Sequence, residues 1–320
     1  LQLNLPNLRL AKLRFTLEAL ETLYLPEYKG STLRGGFGHS FRKVVCTMGP
    51  IPCETCLLQL KCPYPQFFET PIAGEAPPFM RGVKTGPQPF IVEPPLDNKR
   101  VYEKGESLEF GLVLIGRSVE YLPYFIYTFD QLGIMGIGRG KGKFRLTEVA
   151  AFGDEWQVIY DGASKTISGD FQSMTKDTLN KEIDSSQLLS LRFLTPTRIK
   201  TNGRLTGDID FRELVINLLR RICTLTYFHM PEQEIEWDWR PILEAANEIE
   251  IAEKNLRWHD WERYSNRQKT RMKLGEFLGE VTLRGDLGDW LPLLRLGEFV
   301  HVGKGATFGL GKYELNTEAH

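Results

Sequence analysis

Apolar and polar positions along the chain fall into two successive sets of elements. Leu8 to Leu20 is rich in apolar and β-favouring residues and predicts a strand. In Ser31 to Val45, Leu33, Phe37, Phe41 and Val44 recur at helical spacing and form one apolar stripe. Residues 88–95 ("QPFIVEPP") and Glu106 to Gly116 predict two further strands. Tyr121 to Leu132 is apolar and aromatic and predicts a helix. Residues 136–152 ("GIGRGKGKFRLTEVAAF") then give a glycine-rich basic turn and another strand.

Residues 160–186 are polar and poor in large apolar side chains, as expected of an interdomain linker with at most a stray strand. The order then begins again. Leu188 to Lys200 predicts a strand, and Asp208 to Phe228 a long helix capped by Asp208 or Asp210. Pro231 to Glu253 is acidic, with helical character after Pro241. Arg271 to Leu283 is strand-like, and Trp290 to Val302 reads as a helix. A second glycine-rich basic turn and a last strand follow, in "HVGKGATFGLGKYEL" (residues 301–315). Each half therefore reads strand, helix, strands, helix, basic turn, strand. Repetition of that order predicts an α+β protein of two tandem ferredoxin-like βαββαβ (RRM-like) domains. The expected bounds are 1–159, with a cysteine insertion at about 46–62, and 187–320, with its glycine-rich loop at 303–311.

Composition narrows the picture only slightly. The chain has 320 residues and a formal net charge of -1, so a basic binding surface would have to be local. Neither an apolar run of 18 residues nor a signal-peptide pattern is present, which predicts a cytoplasmic protein with no membrane partner.

Four of the five cysteines fall within seventeen residues: Cys46, Cys53, Cys56 and Cys62. The pattern C-x6-C-x2-C-x5-C fits a structural tetrathiolate zinc site, because C-x2-C presents two sulfurs from one turn. An iron–sulfur cluster and four free thiols are the alternatives. Four thiolates leave no open position on a metal, so a zinc here would be structural and not catalytic. Cys223 stands alone and reads as a buried apolar residue.

Opposite the apolar stripe of the first helix lie Gly35, His39, Arg42 and Lys43, with Gly36 and Arg34 nearby. Each helical glycine costs about 1 kcal/mol relative to alanine. Close approach by a partner would offset that cost; a solvated face with an idle histidine is the plainer reading. Between Arg257 and Lys273, six of seventeen residues are Lys or Arg, including Arg263, Arg267 and Lys269, with Trp258, Trp261 and Tyr264 interleaved. Such a stretch suits single-stranded RNA, and equally a charged helix face with its aromatic rings turned inward. The two glycine turns carry Arg139, Lys141 and Lys143 in one and Lys304 and Lys312 in the other. Successive backbone N–H groups in such turns make anion-binding concavities, and two basic turns favour a polyanion. A P-loop is excluded, since Ala306 replaces its first glycine and Tyr313 follows Gly311-Lys312; Phe308 breaks the dinucleotide fingerprint. Gly303, Gly305, Gly309 and Gly311 are more glycines than a tight turn needs, so a large ligand against the backbone is expected.

Three segments carry a resemblance: "KGSTLRGGFGHSFRKVVC" with the cysteines after it, "DWERYSNRQKTRMKLGEFLGEV", and "LPLLRLGEFVHVGKGATFGLGKYEL". Through them the chain resembles the CRISPR-associated repeat-RNA endoribonucleases of the RAMP superfamily, which cut precursor CRISPR RNA within its repeats. The resemblance implies that the glycine-rich loop lies beside RNA. It implies metal-independent cleavage by 2′-OH attack, leaving a 2′,3′-cyclic phosphate and a 5′-OH. It places the catalytic histidine at His39, with Tyr28 or Tyr24 before it and Lys43 or Arg42 after it. His301 is the second choice and His259 the third. Arg34, Arg42, Arg139, Lys141, Lys143, Arg263, Arg267, Lys269, Lys304, Lys312 and the loop glycines would contact the RNA. The alternative is a non-catalytic RAMP subunit holding guide RNA among the subunits of a CRISPR effector complex. A zinc-containing nucleic-acid-binding protein is a third reading.

Overall fold

A computed structural model describes residues 3–316, except 73–79, 81–84, 169–170, 180–187, 202–203, 207–208, 237 and 266–269; for 176–177, 200–206 and 259–275 it describes backbone only. Two compact units emerge. One comprises Leu8–Thr175 with Thr224–Gln233; the other comprises Leu1–Asn7, Lys176–Cys223 and Glu234–His320.

The first unit is built from β1 (Leu10–Ala19), β2 (Leu23–Tyr24), α1 (Gly30–Val45), α2 (Pro63–Phe68), β3 (Phe90–Glu93), β4 (Val101–Tyr102), β5 (Ser107–Ile115), α3 (Leu122–Met135), β6 (Phe144–Phe152), β7 (Trp156–Asp161) and β8 (Thr166–Ile167). Its main sheet has the antiparallel order β3-β5-β1-β6-β7-β8. In β1 the period-2 pattern is strict: Leu13, Phe15, Leu17 and Ala19 are buried, while Lys12, Arg14, Thr16 and Glu18 are not. Those apolar residues meet α1 and α3 in a phenylalanine-rich core. The Phe37 ring stacks on Phe125 and Phe129 at 5.0 and 4.9 Å between centroids and also touches Phe41, Phe68 and Phe90.

The second unit contains α4 (Lys176–Leu179), β9 (Leu188–Thr197), β10 (Ile199–Thr201), β11 (Arg204–Thr206), α5 (Phe211–His229), α6 (Arg240–Ala245), β12 (Glu250–Ser265), β13 (Thr270–Arg284), α7 (Leu291–Val300) and β14 (Tyr313–Asn316); the last turn of α5 counts with the first unit. Its sheet order is β12-β13-β9-β14. Alternate residues of β9, from Leu189 to Thr197, are buried, as are Leu218 of α5 and Leu294 of α7. The α5 cap is Asp210, whose carboxylate accepts the Glu213 N–H at 2.6 Å; Asp208 lies outside the described residues.

Both sheets share one plan. The strand after the first helix lies at one edge, and the first and last strands of the motif run side by side. The fold is therefore α+β with two ferredoxin-like units in tandem. Two elements depart from expectation. The segment expected as linker starts inside β7 and continues through β8, which pairs with it through Tyr160↔Ile167 and Asp161↔Thr166; residues 169–170 and 180–186 of it lie outside the described residues. The segment after Pro241 forms the six-residue α6 and a 3-10 turn, Ala246–Glu248, and β12 then begins at Glu250, inside the stretch expected to be helical. The aromatic-basic stretch is thus no helix. It runs along the end of β12 and into the start of β13, two strands that pair from Glu250↔Arg284 to Ser265↔Thr270.

Candidate RNA-cleavage site

Helix α1 presents a bare polar face on a rigid base. Gly35, His39 and Lys43 stand four residues apart and are exposed, while Leu33, Phe37 and Phe41 on the opposite side are fully buried. The helix underside is closely fitted. A Cβ on Gly36 would stand 3.2 Å from Leu132 of α3, and one on Gly38 would stand 2.8 Å from the Phe68 ring of α2. Ser40 donates its hydroxyl to the Thr128 carbonyl at 3.1 Å. A side chain at Gly38 would force the Phe68 ring to shift, and one at Gly36 would press on the tip of Leu132. Gly35 has nothing within 4 Å, so only its side of the helix is open to an outside partner.

The start of α1 is fixed by a group that sequence reading missed. Lys29, just before the helix, is fully buried, and its Nζ donates to Asp97 Oδ1 at 2.8 Å and to the Asp97 and Glu27 carbonyls at 3.1 and 3.2 Å. Partial burial works to raise the Asp97 pKa, but the Lys29 hydrogen bond and charge, with the Lys99 N–H and the Tyr102 hydroxyl, hold it below the ordinary carboxylate value. No motif links residues 68 apart, so this anchor left no sequence signal. Tyr28, the residue before it, is half-buried.

The expected cations of this region divide into two groups. Lys43 is exposed beside His39. Arg34 is turned inward, donating to Gln88 Oε1 at 3.0 Å and stacking on the Phe68 ring at 4.9 Å. Arg42 donates to the Ile51 carbonyl at 3.3 Å and lies 5.5 Å from the Tyr64 ring centroid. Burial opposes its charge, but neighbouring Cys53 and Tyr64 and a hydrogen bond with Cys46 outweigh that, and its pKa lies above the ordinary value. Both arginines therefore have partners inside this domain.

In the first glycine turn, Arg139, Lys141 and Lys143 are all exposed. The turn is tied to β2 by the Arg139 N–H to the Tyr24 carbonyl at 2.9 Å, and the guanidinium lies 5.8 Å from the Tyr24 ring centroid. Lys143 pairs loosely with Glu21 at 3.7 Å. Exposed Tyr24 thus belongs to this basic turn.

The second glycine turn has an internal explanation. All four of its glycines adopt positive φ. A Cβ on Gly303 would stand 2.3 Å from the Arg198 carbonyl oxygen, and one on Gly311 would stand 1.9 Å from that of Val302. The chain's own backbone fills the space beside Gly303 and Gly311, and at Gly305 a Cβ would stand 2.8 Å from the Leu310 side chain. Lys304 remains exposed and Lys312 is half-buried. His301 is fully buried at φ 58°, with Nδ1 3.0 Å from the Leu310 carbonyl. It serves inside the loop, so the second-choice catalytic histidine has no surface for a substrate to reach. Arg263 and His259 lie in β12, where only backbone is described; Arg267 and Lys269 lie outside the described residues.

Cys46, Cys53, Cys56 and Cys62 all line one small hollow beside Tyr64. Cys223 is apart and buried, and burial pushes its thiol up to about 12. No described helix is long and apolar enough to cross a membrane.

Residues 191–313 match the family model of the CRISPR-associated endoribonuclease Cas6, and residues 8–172 match the AF_1859_N N-terminal domain. An uncharacterized protein of Archaeoglobus fulgidus is 25% identical over 297 residues, covering 92% of this chain and 93% of its own. Among solved structures, Thermus thermophilus Cas6 (TTHB231) is similar at 18% identity, covering 97% of this chain and 99% of its own, with a TM-score of 0.54. Its product complex gives 0.57 at 19% identity, over 96% and 100% of the two chains. A chain of a partial Cas6-RT-Cas1–Cas2 complex gives 0.59 at 16% identity, over 99% of this chain and 47% of that one.

Proposed function

Since the chain belongs to the CRISPR-associated Cas6 endoribonuclease family, we propose that it cuts precursor CRISPR RNA within the repeat without a metal, using the exposed face of α1. Neutral His39 accepts the proton of the 2′-OH next to the scissile phosphate. The 2′-oxygen attacks phosphorus, the bond to the 5′-oxygen breaks, and that oxygen takes up a proton. The products are a 2′,3′-cyclic phosphate and a 5′-OH. Lys43, one turn further along the same face, offsets the negative charge that builds up on the phosphate oxygens. Tyr28 is the remaining candidate for proton transfer to the leaving oxygen.

One observation carries this reading. His39 and Lys43 stand together, exposed, on a helix clamped along its other side, next to a glycine that leaves the backbone open. A general base needs that combination of access and fixed position. Arg139, Lys141 and Lys143 supply exposed positive charge in the same domain for a polyanionic backbone. A repeat RNA with a single 2′-deoxy nucleotide at the cleavage position tests the chemistry. In EDTA, the all-ribose repeat is expected to be cut and the 2′-deoxy version to stay intact while still binding. Cutting of the 2′-deoxy strand would refute 2′-OH attack. Binding of the all-ribose repeat with no cutting would favour a guide-RNA scaffold.

A further inference from the structure

We propose that Cys46, Cys53, Cys56 and Cys62 hold one zinc ion, and that this ion fastens the C-terminal end of α1 to α2. None of residues 46–62 is buried, and Leu57 and Leu60 are 81% and 59% exposed. A loop with no core of its own needs a covalent or metal staple. Its backbone is nevertheless built into specific turns: Cys56 N–H to the Cys53 carbonyl at 3.2 Å, Gln59 N–H to the Cys56 carbonyl at 3.0 Å, and Cys62 N–H to the Leu58 carbonyl at 2.8 Å.

The four cysteines face one hollow enclosed by these turns, beside Met48, Ile51, Leu58 and Tyr64. All four are half-buried and all line a cavity of about 20 Å³, which has room for one small ion. The Leu58 N–H points at Cys56 Sγ at 3.4 Å, a contact that would help stabilise thiolate charge. Arg42 reaches the loop through the Ile51 carbonyl and supplies positive charge beside the sulfurs. Among the described residues, no set of three or more potential ligands already has metal-holding geometry. The sulfurs would therefore draw together on binding, as expected where a metal completes the folding of a loop. Cys46 is the C-cap of α1 and Cys62 the N-cap of α2. A bridge between them closes the packing of Phe41 on Phe67 and Phe68, and holds steady the last turn that carries Lys43.

The site stands independently of the cleavage reading, and its test does not use activity. The full chain, purified after growth with added zinc, should contain about one zinc per chain by elemental analysis. Cys53→Ser/Cys56→Ser should lose it, and Cys223→Ser should keep it. Cobalt(II) substituted into the wild-type chain should show the intense absorption of a tetrahedral thiolate complex, a reading that does not depend on any variant folding. Removing the metal should lower the melting temperature and speed hydrogen exchange at residues 42–46. Zinc absent even after incubation with zinc chloride, zinc retained in Cys53→Ser/Cys56→Ser, or iron–sulfur absorption would each overturn the proposal.

Discussion

At the scale of single residues, α1 joins two glycines with opposite reasons for being there. Gly36 is closed in by Leu132, whereas Gly35 faces open space within a helix. Gly35→Ala should therefore stabilise the protein by about 1 kcal/mol in thermal denaturation, since alanine is the better helix former. If RNA lies on this face, the same change should weaken repeat binding. A stabilised variant with unchanged affinity would remove RNA from that face. The Lys29–Asp97 pair makes a second case. Asp97→Ala leaves the Lys29 ammonium fully buried against two carbonyls, at a cost of roughly 3 kcal/mol. Lys29→Met should cost less, because the Asp97 side chain is half exposed and can rehydrate. The folded Asp97 pKa is depressed, so the pair's contribution is complete above the unfolded carboxylate pKa of about 4. It fades as pH falls through the lower folded value. Melting curves between neutral and strongly acid pH should show that loss in the wild type and not in Asp97→Asn.

Among the elements, the glycine-rich loop was the easiest to find in sequence and the one whose cause was hardest to read. Four glycines in nine residues marked it, but a sequence does not say whose atoms fill the space that they leave. The Arg198 and Val302 carbonyls fill it, so Gly311→Ala should cost at least about 2 kcal/mol through both φ and the Val302 oxygen. Denaturant unfolding of that variant checks this; a loss within error would mean that the loop relaxes freely. His301 is a candidate catalyst in sequence for the same reason: its place beside the loop is visible there, its burial is not. Helices α1, α3, α5 and α7 and strands β1, β5 and β9 were legible because each buries one periodic apolar face. Strand β12 was not. Residues 253–255, 257 and 258 are exposed. A strand with little to bury carries no alternation to read. The internal partners of Arg34 and Arg42 escaped for a related reason. Long cations lie along apolar rings as readily as they point to solvent.

For the whole molecule, the duplicated order of elements was readable before any coordinates, and both sheets carry the same strand plan. The polar stretch between the halves misled only in part, since exposed edge strands such as β8 look like linker. Repetition alone leaves open which half does chemistry. The proposed reading gives that role to the first, with exposed His39 and Lys43 on a helix fixed at its start by Lys29 and beneath by the phenylalanine core. The direct test is cleavage of end-labelled repeat RNA in EDTA by the wild type and by His39→Ala, with binding measured in parallel. Wild-type cutting should leave a 2′,3′-cyclic phosphate, and His39→Ala should bind equally while cutting at least about 100-fold more slowly. Cleavage by His39→Ala at the wild-type rate, or a requirement for Mg²⁺ in the wild type, would contradict the account.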